Sequence, residues 1–221
     1  MKGVIFDWDG VVIDSSPEHE RSWEILSEEI SQPLVPGHFK LGFGKKNELI
    51  IPQILKWSDD PAIIEKLARR KEEIYRGLVR ERGVNILPGA RELLAGLCGE
   101  SIPRAIGSST PRENLEAIFS ATGLDELFDA VVCGDDVVNG KPAPDVFLLA
   151  ARKLSLQPAD CLVIEDAHAG IEAARRAGMP VLAVATTNPL RDLGAATGAV
   201  ESLAGTTPSL LRKIHSRAPR G

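Results

Sequence analysis

Two aspartates one residue apart, Asp7 and Asp9, follow directly on the apolar run Val4-Ile5-Phe6, and Gly10 comes next. A strand with no polar face belongs in a parallel sheet covered by helices, and ligands of such sheets bind beyond the carboxyl ends of the strands. Three further sets of polar residues follow apolar, β-prone runs. Ser108, Ser109 and Thr110 come after Arg104–Gly107, Lys141 lies in Asn-Gly-Lys-Pro-Ala-Pro-Asp after Cys133, and Glu165 and Asp166 follow Cys161–Ile164. If the strands are parallel, all four sets meet at one sheet edge. Four carboxylates against one lysine are unfavourable without a cation, because crowded like charges resist ionisation. Oxygen donors without clustered histidine or cysteine point to Mg²⁺, which is commonly held by one or two carboxylates and a substrate phosphate. Ser108, backbone amides and Lys141 suit phosphate oxygens. One carboxylate can attack phosphorus, and a second can protonate the leaving group and then activate water.

Plainer readings exist for single residues. Ser108–Thr110 can cap a helix after Pro111, Lys141 can be a solvated loop lysine, and Glu165 and Asp166 can favour the positive end of the next helix. His168 reads as structural or solvated. Two acids beside a buried strand, by contrast, need a partner.

The elements that must position these residues alternate. After Pro88-Gly89 the pattern predicts helices over 90–97, 112–122, 145–154, 170–177 and 209–215, and strands over 104–107, 130–133, 161–164, 181–185 and 199–201. Strand and helix in alternation give a doubly wound parallel α/β sheet. Between the first strand and this region the character is helical: 15–30, then 47–57 interrupted by Pro52, then 61–82. The sequence therefore divides into a catalytic core of residues 1–14 and 86–221 and an inserted all-helical cap of residues 15–85, tethered where a lid would act.

The chain has 221 residues, 43% hydrophobic and 26% charged, with net charge −5. That charge disfavours nucleic acid and anionic membranes as partners. No apolar stretch approaches a membrane span, and no secretory leader opens the chain before Val4. Cys98, Cys133 and Cys161 read as buried free thiols of a reducing cytoplasm. A small phosphate ester is the expected partner, for a monomer or a weak homo-oligomer.

Asp-Trp-Asp-Gly-Val-Val after an apolar strand resembles the first motif of the haloacid dehalogenase-like phosphohydrolases, and Ser108, Lys141 and Glu165-Asp166 match the other three in order. The resemblance implies a Rossmann-like core with a helical cap and an aspartyl-phosphate intermediate. It assigns Asp7 as nucleophile and metal ligand, and Asp9 as general acid/base with its carbonyl on the Mg²⁺. Ser108 and Lys141 become phosphoryl-binding catalytic residues, with Ser109 beside them. Asp166 becomes a metal ligand, with Glu165 in or next to the metal's shell. Within the insert, Pro17-Glu18-His19, Gly42–Asn47 and Arg70–Tyr75 are similar to cap segments of the β-phosphoglucomutase-like subgroup, which makes His19, Lys45 and Lys71 candidate substrate contacts. The mutase has an arginine where Lys45 stands, and lysine does not reproduce its forked grip. Residues from Gly44 to Tyr75 also resemble the cap of phosphatases linked to flavin biosynthesis. The sequence predicts a Mg²⁺-dependent small-molecule phosphatase; the alternatives are a sugar-phosphate mutase and a silent binding protein of the same fold. A true dehalogenase has no second Asp two residues after the nucleophile, so Asp9 argues against that activity.

Overall fold

The structure, a computed structural model, describes residues 1–42 and 46–218. Lys45 lies outside the described residues. The chain divides into two compact units, one of Met1–Asp14 with Asn85–Gly221 and one of Ser15–Val84.

In chain order the first unit holds β1 (Gly3–Phe6) and β2 (Ile13–Asp14), and the second holds α1 (Ser16–Ile30), α2 (His38–Gly42), α3 (Asn47–Leu49) and α4 (Pro61–Arg82). The first unit resumes with β3 (Asn85–Ile86), α5 (Ala90–Gly99), β4 (Arg104–Gly107), α6 (Arg112–Thr122) and β5 (Ala130–Val132). It ends with α7 (Asp145–Lys153), β6 (Cys161–Glu165), α8 (His168–Arg176), β7 (Val181–Val184), β8 (Gly198–Val200) and α9 (Pro208–His215).

Among the described residues, six strands form one parallel sheet in the order β5-β4-β1-β6-β7-β8. The expected doubly wound α/β architecture is therefore present. β1, β4 and β6 are buried along their whole length, as strands covered on both faces should be, with Arg104 at the start of β4 and Glu165 at the end of β6 buried too. Ile5, Ala105, Val163 and Ala183 pack with Phe147 and Ala150 of α7 and Ile171 and Ala174 of α8 in one core cluster. The chain runs outward from β1 to β4 and β5, then returns to β6 on the other side of β1. The strand order thus reverses between β1 and β6, the point beyond whose carboxyl ends ligands of such sheets bind.

The second unit buries Trp23 and Leu26 of α1 against Ile50, Ile51 and Leu55 and against Ile74 and Leu78 of α4. α4 begins where its sequence says it should: Asp60 accepts from Ala62 N at 2.8 Å, and Pro61 occupies the first turn.

Three details differ from the sequence reading. The helix expected over 47–57 is a single turn, α3, followed by π-helix over Ile50–Leu55. Pro52 lies inside that stretch and supplies no N–H to a regular helix. A two-stranded antiparallel ribbon, unexpected at two residues per strand, pairs Ile13 with Ile86 and Asp14 with Asn85. Cys98 is exposed, whereas Cys133 and Cys161 are buried. It follows Leu97, which faces the core, and one helical step turns its side chain away.

Candidate active site

β1, β4 and β6 are neighbours, so the residues just past their ends are brought together by the sheet itself. Asp7 leaves β1 with its N–H donating to Ile164 O at 2.9 Å. Its side chain is buried, and Lys141 Nζ donates to its Oδ1 at 2.7 Å. The same ammonium donates to Glu165 Oε1 at 2.7 Å and lies 4.8 Å from the centre of the Phe147 ring. Glu165, fully buried, receives two more hydrogen bonds on Oε2, from Asp166 N and Ala167 N at 2.7 Å each. Gly170 makes room for it, since a β-carbon there would come within 1.6 Å of Glu165 Oε1.

Asp166 is buried beside them, and the loop after β7 holds it. Thr187 Oγ1 donates to Asp166 Oδ2, and Asn188 Nδ2 donates to its carbonyl at 3.0 Å. Thr186 of the same loop donates to the carbonyl of Gly10. Gly10 has φ +77°, and a β-carbon on it would sit 2.0 Å from Asp166 Oδ2. Glycine is needed there both for the turn and for the close approach of Asp166.

Asp7, Glu165 and Asp166 each offer a carboxylate oxygen, all within 4.8 Å of one another. Burial, the largest influence, pushes the Asp7 carboxyl up to about 7 even though Lys141 draws it down, and Glu165 and Asp9 push it further up. Burial, Glu165 and Asp7 push Asp166 up to about 8 against the opposing pull of Thr187 and Lys141. Burial alone would lower Lys141, but Asp7 and Glu165 outweigh it and hold the ammonium protonated beyond the usual lysine range. One lysine therefore does not offset three buried carboxylates. An all-oxygen cluster with surplus negative charge fits a hard divalent cation.

Asp9 lies outside that trio, and Thr110 Oγ1 donates to its Oδ2 at 2.5 Å. Ser108 is buried at the end of β4, its N–H on Val132 O at 3.0 Å and its Oγ accepting from Thr110 N at 3.0 Å. Ser109 is exposed, as is His168. The sheet thus gathers Asp7, Asp9, Ser108, Lys141, Glu165 and Asp166.

A haloacid dehalogenase-like hydrolase family model matches residues 1–178. The chain belongs to the haloacid dehalogenase-like hydrolases. Among relatives of this family member, 5-amino-6-(5-phospho-D-ribitylamino)uracil phosphatase of Arabidopsis thaliana is 37% identical over 91% of the chain. The chain spans about half (54%) of that relative's length. Fructose-1-phosphate phosphatase YqaB of Escherichia coli is 36% identical over 82% of the chain and 95% of its own. Beta-phosphoglucomutase of Bacillus subtilis is 35% identical over 86% of each. This haloacid dehalogenase-like hydrolase falls in the β-phosphoglucomutase-like subgroup.

His19 and Lys71 form a separate cluster within the helical unit. Lys71 is buried, with Nζ 2.6 Å from His19 Nδ1 and 2.9 Å from Glu72 Oε1. The His19 ring stacks on Tyr75 with centroids 3.9 Å apart, and the ammonium lies 5.6 Å from the Trp23 ring centre. Burial, and after it Lys71, lowers His19 to about 3, so it is neutral at pH 7.

Sequence reasoning missed Thr187 and Asn188 and read Thr110 only as part of a possible helix cap. The signal for the first two was present: Thr186-Thr187-Asn188 closes a fourth fully buried strand as the others are closed.

Proposed function

We propose that the protein is a Mg²⁺-dependent phosphatase of small phosphorylated molecules, acting through an aspartyl phosphate on Asp7, with residues 1–14 and 86–221 as the catalytic core. The observation that carries this reading is the buried arrangement of Asp7 with Lys141, Glu165 and Asp166 at the reversal of strand order.

Asp7 and Asp166 are the carboxylates for the cation, with the Asp9 carbonyl implied by the family. Glu165 already accepts three hydrogen bonds and serves mainly to hold Lys141. Mg²⁺ bound there would offset the surplus negative charge and polarise the phosphoryl group. Lys141 favours the ionised form of Asp7 against its burial and offers a positive charge to the phosphoryl oxygens, and Ser108 binds a third side of that group. Asp7 attacks phosphorus as the bond to the ester oxygen breaks, and Asp9 gives its proton to the departing oxygen. Asp9, now a carboxylate, takes a proton from water; the water oxygen attacks phosphorus, the bond to Asp7 breaks, and phosphate leaves.

The helical unit, residues 15–85, is the substrate-selecting part in this reading, through His19 and Lys71, with Lys45 retained from sequence. Relatives named for a ribitylaminouracil phosphate and for fructose 1-phosphate support polyol and sugar phosphates as the substrate class.

Phosphate release from a panel of small phosphate esters, with and without Mg²⁺, tests the proposal. Magnesium-dependent release that disappears in Asp7→Asn is expected; release by that variant at the wild-type rate would overturn the nucleophile. The 35% identity to a β-phosphoglucomutase favours one second reading, in which the phosphoryl group returns to another hydroxyl of the substrate. Glucose 6-phosphate formed from β-glucose 1-phosphate without free phosphate would select it.

A further inference from the structure

We propose that Thr110 is a positioning residue for proton transfer at Asp9, fixed in place by a clasp between the loop after β4 and the turn after β5. The inference rests on Asp9 being the general acid and base.

Asp9 is only partly buried, and a carboxylic acid can transfer a proton only if one oxygen is aimed at the departing oxygen within hydrogen-bond reach. Thr110 Oγ1 donates to Asp9 Oδ2 at 2.5 Å. This uses Oδ2 as an acceptor, sets the plane of the carboxyl group and leaves the exchangeable proton to Oδ1. When the ester bond breaks, that proton passes from Oδ1 to the leaving oxygen, and the carboxylate that results still accepts from Thr110. In the second step Oδ1 takes one proton from water as its oxygen bonds to phosphorus, restoring the acid.

Thr110 is itself held at both ends. Its N–H donates to Ser108 Oγ at 3.0 Å, and its carbonyl accepts from Gly134 N at 3.0 Å. Two residues on, Arg112 N donates to Asp135 Oδ2 at 2.8 Å, and the guanidinium lies 2.6 and 2.7 Å from the two oxygens of Asp136. Asp136 Oδ2 also accepts from Cys133 N at 3.0 Å. The clasp ties Thr110 to the residue proposed to hold the phosphoryl group, so Asp9 is oriented relative to the substrate rather than to a free loop. Misplacement of a reacting group by about 1 Å is enough to cost on the order of 10²-fold in rate.

The test compares two esters in the full-length protein with Mg²⁺: 4-nitrophenyl phosphate, whose leaving group departs without a proton, and the best sugar phosphate of the panel, whose alkoxide needs one. For Thr110→Val, kcat/KM on the sugar phosphate, which reports the first phosphoryl transfer, should fall about 10- to 100-fold, and the loss of kcat/KM on the aryl ester should be about tenfold smaller; kcat alone also carries the water step common to both esters. Thr110→Ser should restore most of the rate, and Thr110→Ala should behave as Thr110→Val. Asp9→Asn, run alongside, should show the same leaving-group dependence more strongly. Equal losses on both esters in Thr110→Val and Thr110→Ala, or no restoration by serine, would overturn the role of Thr110 while leaving Asp9 in place. No leaving-group dependence in Asp9→Asn would overturn the reading of Asp9 itself.

Discussion

Lys141 and Asp7 form a buried ion pair, Nζ to Oδ1 at 2.7 Å, although the two residues are 134 positions apart. The same ammonium is shared with Glu165, so its removal leaves two buried carboxylates facing each other. Lys141→Met should lower kcat/KM by about 10²-fold or more, through loss of phosphoryl-charge stabilisation. It should also destabilise the fold by about 3 kcal/mol, the usual penalty for stranding one side of a buried pair. Steady-state kinetics and urea titration check both. Activity within threefold of wild type would remove Lys141 from the mechanism.

Thr187 acts on Asp166 through one hydroxyl hydrogen bond that favours the ionised carboxylate. Groups that orient a metal ligand in this way are typically worth 10- to 100-fold in affinity. With Asp166 as the proposed ligand of the cation, Thr187→Val should weaken Mg²⁺ binding by roughly that factor, read directly by calorimetric titration without substrate. Unchanged affinity would mean that the Thr187 hydrogen bond does not set cation binding at this site.

That residues at the ends of buried strands would come together was legible, because a parallel sheet gathers strand ends whatever lies between them in sequence. Asp7, Ser108 and Glu165 could be assigned to one edge for that reason, and β1 and β6, which lead into the carboxylates, are neighbours where the strand order reverses. What could not be read was pairing between loops. Nothing in the spacing of Thr110 and Asp9, or of Thr187 and Asp166, records that β4 and β7 flank β1 and β6. The burial of Lys71 was half legible: it shares the helical face of Ile64, Leu67, Ile74 and Leu78, an unusual place for a lysine unless partners await it. His19 and Glu72 are those partners. The π-helical turn at Ile50–Leu55 was signalled only by Pro52, which marks a disturbance without specifying its form.

Gly170→Ala sets two effects against each other. Alanine is the better helix former by about 1 kcal/mol, so the change should stabilise α8 if the position were open. The new methyl group, however, would lie 1.6 Å from Glu165 Oε1, a contact that forces the carboxylate off Lys141. Steric exclusion outweighs propensity, and the variant should lose about 1–3 kcal/mol of stability together with most of its activity. A variant more stable than wild type, with full activity, would mean that Glu165 has another place to go.

His19 gives the helical unit a dependence on pH whose sign follows from its depressed proton affinity. The unfolded chain binds a proton on this imidazole near pH 6.5, whereas the folded chain resists doing so until about pH 3. Above pH 6.5 both states are neutral and the full contribution of the ring is present. As pH falls from 6.5 toward 3 the unfolded state gains the proton first, and stability is lost at about 1 kcal/mol per pH unit. His19→Phe keeps an aromatic ring to stack on Tyr75 but cannot titrate. Unfolding free energies from urea titrations at pH 7.5 and 5.5 should therefore differ in the wild-type protein by more than in His19→Phe, by about 1 kcal/mol. Equal pH dependence in the two proteins would mean that His19 takes up its proton in the folded state as readily as in the unfolded chain, and that Lys71 does not face a neutral ring.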